Sequence, residues 1–593
     1  MQRVLVPLLI VLVSCGPAPE GSGTEAPAPR AGTEPPRELT EQAGNEFAEV
    51  RDAFLAWYHE AYPVRASELG IHDQDARLPA LDRVGVQTRI DDLLDWIGDL
   101  EDIPFTLVTG PARFDYALME FALRANLLEL EEVRSWVNDP RIYTGTIAAG
   151  LAAVAGHAYA PAGERIAALG ARMRGSPALL DAARENLRSP PELWTELARE
   201  DTRALIRYLE EELPAVLEAQ GGDASELDGP RSELIAALEQ HDAWLETELL
   251  PRSTGDFRLG RYLFQRKLLY EEHVSLDADE LERLNEQAIG EYRQRLEEVA
   301  AAIDPDRTPE AILDSLGRDR PSAEDLLSAA QARMEWLRDR TREADVVTLP
   351  DDRMPRVREA PARVGDGFAV LDAPGPFESG ALDAYLYLTT ARPEWGEAEA
   401  EAYRLYLDEP TLAALVAHYA FPGRYVQAGF EREIESRIRR AFPAGSFVDG
   451  WAHYAEGMIL EAGPDEAAPE LRLGQIRRAL QQHARWYAAL HLHAFDTPVE
   501  EVVARFARIA LLPESLARRE VVRATYDPTY LRAALGRMQI AELREDYREY
   551  REEADETFTL REFHDRMLRL GLPIPLAREV MIPPPQPARR RAR

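Results

Sequence analysis

Residues 277–305 read DADELERLNEQAIGEYRQRLEEVAAAIDP, and this stretch decides the fold class. Leu281, Leu284, Ala288, Tyr292, Leu296, Val299 and Ile303 recur at steps of three and four. That spacing puts apolar side chains on one face of a helix. Asp277 and Glu280 form a capping pair just before the run, and Pro305 follows it. Working outward, Leu234, Ile235, Leu238, His241, Leu245 and Leu249 repeat the pattern in a second helix. His241 there reads as a satisfied helix histidine. Helical periodicity runs from Phe47 to about Leu570, with no fixed-length repeat. The fold class is therefore mainly α, a large multi-helix body. The texture changes only between Asp345 and Thr390. Val346–Leu349, Phe368–Leu371 and Ala384–Leu388 are β-rich and separated by Pro and Gly, which predicts a small β-sheet insert near residues 345–390.

The chain has 593 residues, 45% hydrophobic and 29% charged, enough for a large packed core. Lys+Arg is 69 and Asp+Glu is 105, a net charge of −36, which argues against nucleic acid as a partner because phosphate contacts need a positive surface. Lys267 is the only lysine. The single cysteine, Cys15, excludes a disulfide framework and any Cys-based zinc cluster.

Arg3 precedes an apolar run from Val4 to Val13 that is interrupted by Pro7. The run is far short of the roughly 20 residues that span a bilayer, so it reads as an export signal. It ends in Leu12-Val13-Ser14-Cys15, which resembles the lipobox of bacterial lipoproteins. The resemblance implies residues 1–14 as signal peptide, Cys15 as the lipidated first mature residue, and the bilayer as a partner. The expected address is the bacterial cell envelope, lipid-anchored, at the outer membrane or periplasmic face if the organism is Gram-negative. Residues 15–45 are rich in Pro, Gly, Ala, Glu and Thr and are predicted to be a disordered tether. A single domain is expected over 46–580 and a disordered Pro/Arg tail over 581–593.

Five of the eleven histidines fall within residues 418–493. Two segments stand out, His418-Tyr419-Ala420-Phe421-Pro422-Gly423-Arg424-Tyr425-Val426-Gln427 and Phe447-Val448-Asp449-Gly450-Trp451-Ala452-His453-Tyr454-Ala455-Glu456. They resemble a bacterial family known as domain of unknown function 885, many of whose members are lipoproteins and which is related to zinc metallopeptidases of the Glu-zincin type. Its pattern is His-Glu-x-x-Pro-Gly-His-His-x-Gln followed by Glu-Gly-Trp-Ala-x-Tyr-x-Glu. Trp136–Pro140, Asn186–Pro191 and Phe257–Arg261 agree with it too. The resemblance implies a zincin-like body over nearly the whole mature chain.

The departures fall on the chemical positions. Zinc hydrolysis needs two imidazoles and a carboxylate on the metal, and a carboxylate base. His418 keeps the first imidazole. Tyr419 replaces the general base, and a phenol with an ordinary pKa near 10 cannot do a carboxylate's work near neutrality. Arg424 replaces the second imidazole and offers no lone pair; Tyr425 replaces its neighbour. Asp449 stands at the third ligand position, one methylene short. The family's later Tyr-Lys pair corresponds to Ala533-Ala534 before Leu535-Gly536. The first reading is a catalytically degenerate relative that binds a peptide-like or carboxylate-bearing ligand, or a partner protein, without a cofactor. Arg424 would then face Asp449 or grip the ligand, with Arg485, His493 and Tyr387 as further contacts. The second is an active metal-dependent peptidase with zinc on a rebuilt set, His418, Asp449, His453 and Glu456, because Asp449, His453 and Glu456 share a helix face. The third is a structural envelope scaffold. Tyr385 and Tyr387 lie on the last β-rich segment; in zinc peptidases an edge strand near the metal holds the substrate backbone, but here the two read as packing residues on a strand that bounds the candidate site.

Overall fold

The computed structural model describes residues 36–583 except 319, 323, 362–366, 393–394 and 463–468. The expected signal segment, Cys15 and most of the Pro/Arg tail lie outside the described residues. The architecture is mainly helical with one small three-stranded sheet. Among the described residues no helix is long and apolar enough to cross a membrane.

The helix Ala278–Ile303 forms as its periodicity predicts. Asp277 and Glu280 make a reciprocal capping box, each side chain bonding the other's backbone N–H, and Leu281, Ala288, Tyr292 and Leu296 are buried. The first helix, Arg37–Ala61, begins inside the stretch expected to be tether. Its buried face starts at Ala43 and continues through Phe47, Phe54, Leu55 and Tyr58. The preceding turns are exposed, so apolar periodicity could not announce them. After Pro36 the run holds no proline or glycine until Gly44, and nothing in it breaks a helix.

Side chains pack into three apolar clusters. One joins the first helices, around Phe47, Phe54 and Leu123. A second, around Tyr143, Leu169 and Leu209, is drawn from residues 143–249 together with Leu81. The third and largest is centred on the C-terminal half, around Trp451, Trp486 and Phe506. The short helix Arg437–Ala441 plugs the first cluster with Ile438 and Ala441. Its Arg439 reaches Asp115 at 2.6 Å and the carbonyl of Leu570 at 3.1 Å, which ties the N-terminal core to the C-terminal one.

The sheet holds β1 (Arg356–Glu359), β2 (Ala369–Asp372) and β3 (Tyr385–Leu388). The order is β1-β3-β2, with β1 parallel and β2 antiparallel to β3. Two expectations change here. Val346–Leu349 is not a strand. Its backbone is satisfied by side chains of the helix Leu560–Leu570: His564 Nδ1 donates to the Val346 carbonyl (2.7 Å), and the Thr348 N–H donates to Asp565 (2.9 Å). β3, which carries Tyr385 and Tyr387, is the central strand, so its ladder positions are already filled on both sides and it offers no edge to a peptide.

Candidate functional site

The first motif lies on the helix Glu409–Tyr419. Asp408 caps it, accepting from the Thr411 N–H at 2.8 Å, and Asp408 in turn is held by Arg477 at 3.0 Å. The chain breaks at Ala420–Gly423 and resumes as the helix Arg424–Glu433. Glycine is required at 423 because a Cβ would collide with the carbonyls of Ala417 and His418. The second motif lies on the helix Gly445–Ala462. Trp451, fully buried, donates its indole N–H to the carbonyls of Pro422 and Gly423 at 3.1 Å, stapling one motif to the break in the other. At Gly450 this helix crosses the helix Arg532–Glu553 at Gly536; a Cβ on Gly450 would stand 2.6 Å from the Gly536 Cα.

These contacts set His418 against Glu456. His418 Nδ1 donates to Glu456 Oε1 at 2.8 Å. His453 Nδ1 lies 3.2 Å from Glu456 Oε2, but off the hydrogen-bond axis, and Arg478 stands 3.4 Å from Oε1. Burial works against the charged Glu456 carboxylate; the neighbouring His453 ring, the Arg478 charge and the hydrogen bond from His418 outweigh it and hold the group well below the usual carboxylate range. His453 is itself pushed down to about 4 by burial. Near neutrality it is uncharged, and Arg478 is the cation that sustains the carboxylate.

Asp449 does not join this set. Its Oδ2 accepts from Arg532 Nε at 2.6 Å, and Arg532 also holds Asp527 at 2.8 Å. Burial would raise the Asp449 carboxyl, but the Arg532 charge and hydrogen bond, with His418 and Arg424 behind them, bring it below its ordinary value. Arg424, expected to face Asp449, pairs along its own helix with Gln427 and with Glu431 at 3.5 Å, because residues three and seven positions on share its face. Tyr425 meets Phe421 edge-on and has Asp351 and Arg353 among its charged neighbours.

Arg485 makes a two-pronged pair with Glu520 (2.6 and 2.9 Å), which also accepts from Tyr530 at 2.7 Å. His493 Nε2 donates to the Ala524 carbonyl at 2.8 Å and joins two helices. His491 bridges Thr497 and Glu282. Tyr387 stacks on Tyr385 along β3.

Three charged side chains at the edge of this core remain partly accessible. Asp449 keeps 35% of its side chain accessible, Arg424 30% and Arg523 41%, although burial weighs on the electrostatics of Asp449 and Arg523. Arg523 makes a loose ion pair with Asp527 at 3.6 Å. Burial pushes the Tyr419 phenol up, against the pull of Arg478, Arg485 and Arg523, with Asp449 acting alongside burial. Sequence reasoning missed Arg478, Arg523 and Arg532. They sit on helices whose motif residues do not include them, and only the fold brings Arg478 and Arg523 near Tyr419 and Arg532 onto Asp449.

The donor set does not fit zinc. Glu456 is engaged by two imidazoles and a guanidinium, Asp449 by another guanidinium, and Arg478 and Arg532 are fixed cations where a dication would sit. Among the described residues no group of three or more His, Cys, Asp or Glu is placed to hold a metal ion.

A family model described as "Bacterial protein of unknown function (DUF885)" matches residues 63–581. Two solved structures share the fold. A candidate lipoprotein of unknown function from Shewanella oneidensis aligns with a TM-score of 0.70 at 23% identity, covering 90% of this chain and 99% of that one. A candidate lipoprotein from Colwellia psychrerythraea aligns with a TM-score of 0.68 at 15% identity, covering 92% and 98%. No curated protein matches the chain.

Proposed function

The chain belongs to the family of bacterial proteins of unknown function DUF885, and from that premise we propose that it is an envelope lipoprotein that binds rather than cleaves. In this reading Cys15 anchors the body to a membrane. The body is a metallopeptidase-like relative whose catalytic positions have been replaced. It takes a peptide-like ligand by a carboxylate.

One observation carries the reading. At Tyr419, where the family has its base, the strongest charged influences are three guanidinium groups, Arg478, Arg485 and Arg523, against one carboxylate, Asp449. Arg478 is already met by Glu456 and Arg485 by Glu520, so Arg523 is the guanidinium that favours an anion there. Arg523 is the accessible member, and its ion pair with Asp527 is long enough to yield to a better-placed carboxylate.

The test is a calorimetric titration of the full chain with trialanine and with its C-terminal amide. A hydrogen bond to a charged group contributes about 1.5–3 kcal/mol, so the free acid binds roughly ten- to a hundredfold more tightly than the amide. Arg523→Gln removes most of that difference. Equal affinity for acid and amide, or binding untouched by Arg523→Gln, would sink the reading. Metal analysis of the same preparation and of His418→Ala addresses the rival: stoichiometric zinc lost in the variant would establish a rebuilt metal centre instead.

A further inference from the structure

A pocket of about 350 Å³ shares Arg532 with the surroundings of Asp449. Its wall is built by the end of the helix Gly260–Glu272, by Asn126 on the helix Ala112–Leu128, by Tyr58 on the helix Arg37–Ala61, and by Phe442 and Gly445. The charges around it are already met. Glu271 takes Lys267 at 2.5 Å, Arg65 takes Glu68 at 3.2 Å, and Arg532 takes Asp449 and Asp527. Glu272, 3% exposed, makes no ion pair among the described residues; its Oε2 accepts from the Ser446 N–H at 2.5 Å. A Cβ on Gly445 would stand 2.7 Å from Oε1, so glycine leaves the room the carboxyl occupies. Burial pushes this carboxyl up to about 8, against the Arg532 charge and the Ser446 hydrogen bonds, with Glu271 adding to the rise. Near neutrality Glu272 is therefore an un-ionised acid with a proton to donate. His273 beside it is pushed down to about 3 by burial and is uncharged there too.

Four polar atoms of the lining side chains carry no hydrogen bond among the described residues: Glu272 Oε1, Tyr58 Oη, Asn126 Oδ1 and His273 Nε2. Asn126 is oriented, because its Nδ2 donates to the Ala122 carbonyl at 2.8 Å and leaves the oxygen as the open acceptor. The pocket thus offers two O–H donors and a fixed acceptor in a wall whose charges are paired. That set matches a group carrying both a carbonyl and an N–H. We propose that this pocket binds a small neutral amide, whose carbonyl accepts from Glu272 and Tyr58 and whose N–H donates to Asn126. The rings of Tyr58 and Phe442, edge-on at 4.7 Å, and the side chain of Leu118 cover its carbon atoms. The volume sits at the lower end of small-molecule sites, which run from about 300 to about 1,000 Å³. The site goes beyond the carboxylate grip at Arg523, which is not part of this wall.

The probe is N-acetyl-L-alaninamide, titrated into the full chain at pH 6.5 and pH 9.5 and followed by saturation-transfer NMR, with methylammonium and acetate as charged controls. The probe has neither a carboxylate nor an amine, so the outcome is independent of the reading at Arg523. The expected result is saturable binding at pH 6.5 that weakens roughly tenfold at pH 9.5, where Glu272 has given up its proton. Glu272→Gln keeps a neutral donor of the same shape and binds equally at both pH values. Tyr58→Phe and Asn126→Ala each weaken binding roughly tenfold at pH 6.5. No saturable binding at pH 6.5 overturns the proposal, and so does a fall at pH 9.5 that Glu272→Gln shares. Affinity untouched by Tyr58→Phe and Asn126→Ala would place the amide elsewhere. Tighter binding of methylammonium than of the amide would make the pocket a cation site instead.

Discussion

His418 Nδ1 and Glu456 Oε1 meet at 2.8 Å across two helices that the sequence separates by 38 positions. The pair is the inner anchor of the site. Among the described residues Glu456 is the carboxylate that meets Arg478, His418 and His453 together, and its side chain is fully enclosed.

Removing that carboxylate leaves a buried guanidinium without a counter-charge. Glu456→Ala should therefore destabilise the protein by about 3–5 kcal/mol. Urea unfolding of the two chains measures it, and a loss under about 1 kcal/mol would mean Arg478 finds another partner.

Acid should weaken the fold before ordinary carboxylates titrate. Burial pushes His453 to about 4, His483 to about 3 and His564 to about 4, all below their usual 6.5. Between pH 6.5 and about 4 the unfolded chain binds protons these sites refuse, so stability falls as pH falls through that window. Glu456, held low, adds a further loss below its ordinary range. Urea midpoints at pH 7.5, 6 and 5 should decline in order; a flat series would contradict the burial of these rings.

His72 titrates in the opposite sense. Burial alone would lower it, but hydrogen bonds and charges from Asp75 and Glu378, each 2.9 Å away, raise it to about 9. Its ring stacks on Tyr159 at 3.4 Å, and Glu378 belongs to the loop between β2 and β3. A raised folded value contributes stability that is complete below about pH 6.5 and is lost as pH rises through about 9. His72→Gln should thus cost about 2 kcal/mol at pH 6 and little at pH 10. The same cost at both pH values would show that the ring acts by packing alone.

Gly536→Ala tests the helix crossing that sets the second motif. A Cβ there would strike the carbonyl of Ser446, and neither backbone can retreat without moving Asp449 and Trp451. Overpacking costs about 1–3 kcal/mol or more, so a marked drop in unfolding midpoint is expected. A neutral substitution would mean that the two helices stand further apart.

Much of the fold was legible in local chemistry. The run Leu281 to Ile303, its Asp277–Glu280 cap and the helix through Leu234 and Leu238 follow from spacing alone. So did the presence of a small β insert and two of its three strands. Val346–Leu349 misled because β-propensity measures fit to a half-buried surface, and that surface proved to be a loop held by His564 and Asp565. The early start of the first helix was hidden because exposed turns carry no apolar signal.

Residue identity by itself determined what the side chains at 419 and 424 can offer. Tyr419 cannot serve as a carboxylate base, nor Arg424 as a metal ligand, wherever the chain places them. Partnership was decided only by tertiary structure. Asp449 went to Arg532, Glu456 to His418 and Arg478, and Arg424 to Glu431. Long charged side chains choose partners by geometry at 3 Å, and that geometry is set by helix crossings such as Gly450 against Gly536, between residues 86 positions apart in a sequence that carries no mark of their meeting.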